Sequence, residues 1–132
     1  MARVSIPVNR RFSDLDVLGH VNNVAYLDYL QEARVRMLEE RGLMSVPDFS
    51  QVMARQEINF RKSLLLSLEP IQVEMWVSRI GTTSYTLECR ILDDDGSLSA
   101  DALSVMVCLD RKQQVPVPIP QTLRDALLEV FE

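Results

Sequence analysis

Apolar and polar residues alternate along several short stretches of this chain and recur every three to four residues along one long one. Val4, Ile6 and Val8 share one face of residues 3–8, the period-two pattern of a half-buried strand. From 12 to 23 the pattern stops and Ser, Asp, Gly, His and Asn dominate, which is loop composition. Over 24–41, Tyr26, Leu27, Leu30, Ala33, Met37 and Leu38 return at helical spacing, so this stretch is predicted to be an α-helix. Asn22 or Asn23 supplies its N-cap and Gly42 its C-terminal stop. The first half of that helix, 24–30, is apolar nearly all round, which predicts a helix covered on several sides.

After a loop carrying Pro47, four strand-like stretches follow. Val52, Ala54, Ile58 and Phe60 share one parity, with Arg55 and Arg61 on the other. Ile71, Val73, Met75 and Val77 alternate with Gln72, Glu74, Trp76 and Ser78, and Tyr85, Leu87, Cys89 and Ile91 alternate with Thr86, Glu88 and Arg90. These are strands with one face on a core. Gly81-Thr82-Thr83 and Asp93-Asp94-Asp95-Gly96 are turn chemistry at hairpin spacing. The last stretch, 98–109, changes parity between Ala102 and Leu103, which predicts a bulge there or burial on both faces. Val115 to Pro120 is extended, since each proline restricts its predecessor, and a short helix starts near Gln121. One long helix with a meander of antiparallel strands is an α+β arrangement, most simply a sheet wrapped around the helix. No repeat or linker interrupts the chain, so one domain over 1–132 is expected.

Composition narrows the function. The chain has 132 residues, 47% hydrophobic and 25% charged, the balance of a soluble globular protein. No apolar run approaches the ~20 residues of a membrane span, and no hydrophobic signal region opens the sequence, so a cytoplasmic protein is expected. A net charge of -5 repels phosphate backbones and argues against nucleic acid as a partner. Cys89 and Cys108 match no zinc or redox spacing and read as buried free thiols. With one histidine and no EF-hand pattern, neither a metal nor a redox cofactor is expected.

The chemistry concentrates in one segment. Asp14, Asp16, Gly19, His20, Asn22 and Asn23 crowd into ten positions directly before the main helix. A loop held by rigid elements is where functional groups collect, and a helix start adds unpaired N–H groups and a positive dipole end. A carboxylate base or nucleophile beside such a start is a plausible acyl-transfer site.

The run Asp-x-Asp-x-x-Gly-His-Val-Asn-Asn-x-x-Tyr over 14–26, followed by Glu32-Ala33-Arg34, resembles the active-site signature of hotdog-fold thioesterases related to 4-hydroxybenzoyl-CoA thioesterase. The resemblance continues through Ile58-Asn59-Phe60-Arg61-Lys62, Arg79-Ile80-Gly81 and Pro118-Ile119-Pro120, nearly the whole chain. Ser63 departs from it, standing where many relatives carry proline. The resemblance implies a five-stranded antiparallel sheet wrapped around one long helix, with a short C-terminal helix. It also implies a homodimer or tetramer holding acyl-CoA, or an acyl carrier protein thioester, at the subunit interface.

On that analogy Asp16 is the catalytic carboxylate, activating water or attacking the thioester carbonyl directly. The backbone N–H near Asn23 polarises the carbonyl, and His20 and Asn22 orient substrate, water or loop. Arg61 and Lys62 are candidates for the CoA phosphates, with Arg55 and Arg111 behind them, and Thr83 and Ser84 for the pantetheine arm. Asp14 reads as structural, in an Asx-turn or paired with Arg11. Tyr26 and Tyr29 read as core or interface aromatics, and Glu32 and Arg34 as structural. A non-catalytic acyl-CoA-binding module and a hotdog enoyl-CoA hydratase are the alternatives. The Gly-His-Val-Asn-Asn arrangement favours the thioesterase.

Overall fold

The alternating stretches form strands and the three-to-four repeat forms one long helix in a computed structural model that describes residues 3–45 and 50–132. The loop expected around Pro47 lies outside the described residues. The elements are β1 (Val4–Val8), α1 (Asn23–Glu40), β2 (Gln51–Phe60), β3 (Ile71–Ile80), β4 (Ser84–Leu92), β5 (Leu98–Cys108) and α2 (Gln121–Glu129). The five strands make one antiparallel sheet in the order β1-β3-β4-β5-β2. Single 3-10 turns at Phe12–Asp14 and Leu43–Ser45 flank α1.

The core lies between α1 and the inner face of the sheet. Ile71, Val73, Met75 and Val77 of β3 and Tyr85, Leu87, Cys89 and Ile91 of β4 are buried, as their alternation predicts. They share one core with Tyr26, Leu30, Ala33 and Met37 of α1. Each large apolar side chain fully buried this way contributes roughly 1.5–3 kcal/mol. Both cysteines are free and buried, and burial pushes the Cys89 thiol up to about 12. After α2, Val130 to Glu132 hydrogen-bond to Val77, beyond the end of β1, and so cover the rest of that edge of β3.

Three expectations need correction. First, the strands are not one meander. Only β3, β4 and β5 follow each other, whereas β2 lies at the far edge beside β5. The segment between β2 and β3, residues 61–70, is too long for a tight hairpin and is instead pinned by Arg10. Second, β2 does not hold one parity. Its register against β5 shifts between Met53 and Arg55, so Val52 points outward with Arg55 and Glu57, while Met53, Gln56, Ile58 and Phe60 face inward. An extra residue in a strand flips every side chain before it.

Third, β5 has no bulge at Ala102–Leu103. Ala100, Ala102, Ser104, Met106 and Cys108 keep one buried parity, and the irregularity sits near Ser99, where Ile91 pairs with Ala100 and Leu92 with Leu98. Leu103, Val105 and Val107 are half-buried on the outer face, which imitates a parity change in the sequence. The helix α1 is covered on several sides, as expected, but not all round. It packs chiefly against β1 and β3, and Val24 and Leu27 stay 59% and 42% exposed. A five-stranded sheet curves around only part of a helix, and here the flank toward β2 is left open.

Candidate active site

The loop before α1 is held from both ends. Asp14, buried at the end of its 3-10 turn, accepts hydrogen bonds from the Arg11 backbone N–H, the Arg11 guanidinium and the Tyr29 hydroxyl, the last at 2.6 Å. Burial alone would raise its carboxyl, but the bonds from Tyr29 and Arg11 together outweigh it and hold the group below the usual carboxylate range. The pairing with Arg11 was legible in the sequence, whereas the Tyr29 bond was not.

Tyr29→Phe removes one charge-assisted hydrogen bond and is expected to cost about 1.5–3 kcal/mol in urea unfolding. The folded carboxyl lies below the ordinary value of 3.8, so its contribution is present above that pH and is lost as pH falls through the folded value. In Tyr29→Phe this acid-side loss shrinks. An unchanged pH profile would remove Asp14 as its source.

Asp16 sits in the next turn. Its Oδ1 accepts the backbone N–H of Leu18 at 2.9 Å and of His20 at 3.2 Å, and its own N–H donates to the His20 carbonyl. The turn closes because Gly19 adopts φ +81, a conformation L side chains rarely take. Nothing lies within 4 Å of where a Gly19 side chain would sit, so the cost of Gly19→Ala is conformational alone. We expect about 1–2 kcal/mol of destabilisation, with a matching loss of whatever activity depends on Asp16. Full retention of both would show that the turn does not need glycine.

The second carboxylate oxygen of Asp16 accepts no hydrogen bond from the described residues, and the side chain is exposed. His20 and Val21 then pair with Leu65 and Leu64, and the Asn22 N–H donates to the Asp14 carbonyl. Asn22 is the N-cap of α1, its side chain accepting the Val24 N–H at 2.9 Å. Asn23 is the first helical residue, and its backbone N–H has no partner among the described residues.

Asp16, His20, Val21, Asn23, Tyr26, Phe60, Arg61, Lys62 and Ser63 line one open cleft of about 350 Å³. The fold thus brings together the loop carboxylate, the helix start and the end of β2. The floor is ordered by Tyr26, whose hydroxyl accepts the Leu64 N–H and lies 3.3 Å from Ser99 Oγ. Its ring meets Phe60 edge-on at 5.1 Å.

The cations of the cleft are engaged within the chain. Arg61 donates to Asp101, and Lys62 donates to Ser97 and lies within ion-pair distance of Asp93 and Asp95. Arg55 pairs with Glu57 on the outer face. Thr83 and Ser84 are not in this cleft. They start β4 opposite Val107 and Cys108, whereas the cleft lies where β2 and β4 end, roughly 30 Å away along the strands.

Arg10 was missed by the sequence reading. Its buried guanidinium ties the Leu65 and Glu69 carbonyls to Asp93, joining the end of β1, the segment after β2 and the β4–β5 turn behind the cleft. The only sequence signal was an arginine two residues after an apolar strand. A larger groove of about 560 Å³ runs along the other flank of α1, between β1 and residues such as Asp28, Glu32 and Arg36. It holds neither Asp16 nor the helix start.

Known proteins match this arrangement. The sequence profile of the thioesterase-like superfamily matches residues 10–127. The long-chain acyl-CoA thioesterase FadM of Escherichia coli K12 is 33% identical over 122 residues, covering 89% of this chain and 92% of that protein. A Thermus thermophilus thioesterase, solved with coenzyme A and Zn, is 30% identical with a TM-score of 0.81, covering 96% and 92% of the two chains. The PA5185 protein of Pseudomonas aeruginosa PAO1 superposes with a TM-score of 0.89 at 27% identity, covering 98% and 92%.

Proposed function

The chain belongs to the thioesterase-like superfamily and carries the hotdog fold, and from that premise we propose that it hydrolyses acyl-CoA thioesters in the cleft beside Asp16. The observation that carries this reading is the pairing of a carboxylate oxygen left without a protein donor with an unpartnered N–H at the start of α1, in one cleft.

The thioester carbonyl oxygen sits against the Asn23 N–H, where the helix dipole stabilises negative charge. In the general-base route, Asp16 takes a proton from water as the water oxygen bonds to the carbonyl carbon. The C–S bond then breaks and the proton passes to the departing thiolate, leaving acid and free CoA thiol. In the nucleophilic route the carboxylate itself attacks the carbonyl carbon, the C–S bond breaks to expel the CoA thiolate, and water hydrolyses the resulting anhydride to free acid and the Asp16 carboxylate, its proton passing to the thiolate. Both routes need the same free oxygen. His20 and Asn22 hold the loop that aims it.

The site is completed by a second copy. β2 is an edge strand open on both faces, with Val52, Met53 and Phe60 exposed, and the flank of α1 beside it is open too. An antiparallel two-fold pairing through β2 covers both and lays the partner's Thr83–Ser84 end over this protomer's Asp16 end. Arg61 and Lys62 reach CoA phosphates there by exchanging their carboxylate partners for phosphate oxygens.

Free-thiol release from a panel of short, long and aromatic acyl-CoAs tests the reaction. Turnover of any of them supports it. Tight acyl-CoA binding without release would make the protein a binding module, and water addition to an enoyl-CoA would make it a hydratase.

A further inference from the structure

Arg61, Lys62 and Ser63 line the Asp16 cleft and open a segment, 61–70, that two separate anchors hold. The first anchor fixes residues 61–64 from β5 and α1. The Arg61 and Lys62 N–H groups donate to the Ser99 carbonyl, and the Leu64 N–H donates to the Tyr26 hydroxyl. Leu64 is also sealed in the core. Residues 65–69 are placed differently. Leu65, Leu66 and Leu68 are 57%, 45% and 99% exposed, so apolar burial does little to fix them. Ser67 adds one exposed hydrogen bond to Asp94. The buried contact to this half comes from Arg10, whose guanidinium donates to the Leu65 carbonyl at 2.9 Å and to the Glu69 carbonyl at 3.0 Å.

This second anchor is rigid because both tips of the planar guanidinium are engaged. Nη1 also donates to Asp93 Oδ1 at 2.9 Å, and Nη2 lies 3.6 Å from Asp94 Oδ2. The Arg10 side chain is 1% exposed, and its Nε is buried with no partner among the described residues. A buried ion pair with one donor unmatched is a weak source of stability. Its weight lies in the geometry that it sets.

That geometry reaches the carboxylate. Leu65 pairs with His20 in an isolated antiparallel bridge, beside the bond from the Val21 N–H to the Leu64 carbonyl. The His20 backbone in turn grips Asp16 at two points: its N–H donates to Oδ1, and its carbonyl accepts the Asp16 N–H. Three links therefore run from Arg10 through Leu65 and His20 to Asp16. We infer that Arg10 is a positioning residue for the Asp16 turn, fixing residues 65–69 and through them the place of the Asp16 carboxylate beside the Asn23 N–H. The inference rests on the hydrolytic reading of the cleft.

Arg10 acts on aim and leaves binding alone. Residues 61–63 keep their own anchor without it, and Lys62 keeps Ser97 and Asp95 as partners. Loss of Arg10 therefore displaces the Asp16 side of the cleft and spares the other side. Such a change lowers kcat and leaves KM in place.

The test uses Arg10→Met and Arg10→Lys, with Met37→Ala as a control. Met37 is buried about 20 Å up α1 from Asn23, so its truncation destabilises the fold far from the turn. The substrate is whichever acyl-CoA of the panel above wild type turns over fastest. Arg10→Met is expected to lower kcat by about 10²-fold and Arg10→Lys by about tenfold, the scale of a small misplacement at a reacting group. KM should stay within about threefold of wild type in both. Lysine restores part of the rate because one ammonium can meet Asp93 and one carbonyl but cannot span both carbonyls. Met37→Ala should melt lower and keep kcat per folded molecule.

Amide hydrogen exchange supplies a readout without turnover. The 16–21 amides should exchange about tenfold faster in Arg10→Met relative to those of β3, whereas Met37→Ala should speed β3 instead. A folded Arg10→Met protein that keeps kcat overturns the inference, and so does one whose 16–21 exchange is unaltered. A rise in KM with kcat kept also overturns it, since Arg10 would then serve binding. If Arg10→Met does not fold, Arg10→Lys is read by the same criteria. Absence of thiol release by wild type from every thioester overturns the hydrolytic reading. Faster 16–21 exchange would then still support the hold of Arg10 on the turn, and unaltered exchange would overturn that too.

Discussion

Asp16→Asn is expected to lower kcat for thioester hydrolysis by a factor of about 10²–10⁴ while the protein stays folded and still binds acyl-CoA. The substitution is clean because the two oxygens of Asp16 have separate work. Oδ1 ties the loop by accepting the Leu18 and His20 N–H groups, and the carbonyl oxygen of an asparagine can accept both. The amide nitrogen then occupies the free position, where it can neither take a proton from water nor attack a carbonyl. Stability should therefore change by less than about 1.5 kcal/mol, and the binding of a non-hydrolysable acyl-CoA thioether should be little altered.

Steady-state rates, a thermal melt and calorimetric binding of the thioether separate the contributions. Activity within about tenfold of wild type would show that the reacting carboxylate lies elsewhere. Asp14 is a poor substitute, since Tyr29 and Arg11 already occupy both of its oxygens. Asp14→Asn should register first in the melting curve. Single-turnover hydrolysis in ¹⁸O-water then detects the anhydride: label entering the Asp16 carboxylate marks it, whereas label in the product acid alone is shared by the base route and by an anhydride opened at its acyl carbon.

The grouping of these loop residues was legible in the sequence because they are contiguous. Asp16, Gly19, His20, Asn22 and Asn23 fall within eight positions, and each has a local reason for its place: an Asx-turn, a positive φ, an N-cap, a helix start. Local chemistry is legible in a single sequence. Long-range pairing is not, and every departure of the structure from expectation involves it. The position of β2 beside β5 depends on which edges meet, which alternation within one strand cannot encode. The bulge near Ala54 is invisible because Val52, Ala54, Ile58 and Phe60 share a parity by coincidence of composition. Arg10 and Arg34 illustrate the same limit from opposite sides. One arginine is buried against two carbonyls and a carboxylate from distant segments, the other is buried with no partner among the described residues, and nothing beside either in the sequence tells them apart.

On the proposed pairing of two copies through β2, Met53→Glu should convert a dimer into a weakly active monomer. Met53 faces inward on an edge strand and is 39% exposed, beside Val52 at 42%. In a protomer standing alone a carboxylate there remains reachable by water, so folding should change by only about 0.5 kcal/mol. In a two-fold dimer joined through β2 the substitution occurs twice, and each carboxylate is desolvated without a cation beside it. That costs several kcal/mol per interface, enough to raise the dimer dissociation constant by a factor of about 10³. If the cleft needs the partner's Thr83–Ser84 end, activity follows assembly.

Specific activity of Met53→Glu should then climb with protein concentration, while wild type stays flat over the same range. Sedimentation velocity on the same samples should show the monomer fraction falling in step. The alternative outcome is equally sharp. A variant that sediments as a monomer yet keeps full activity at every concentration means that one chain holds the whole site, and that Thr83 and Ser84, at the far end of its own sheet, take no part in binding. A variant that remains dimeric and active would place the contact between copies somewhere other than β2. The half-buried outer row of Leu103, Val105 and Val107 would be the next surface to charge.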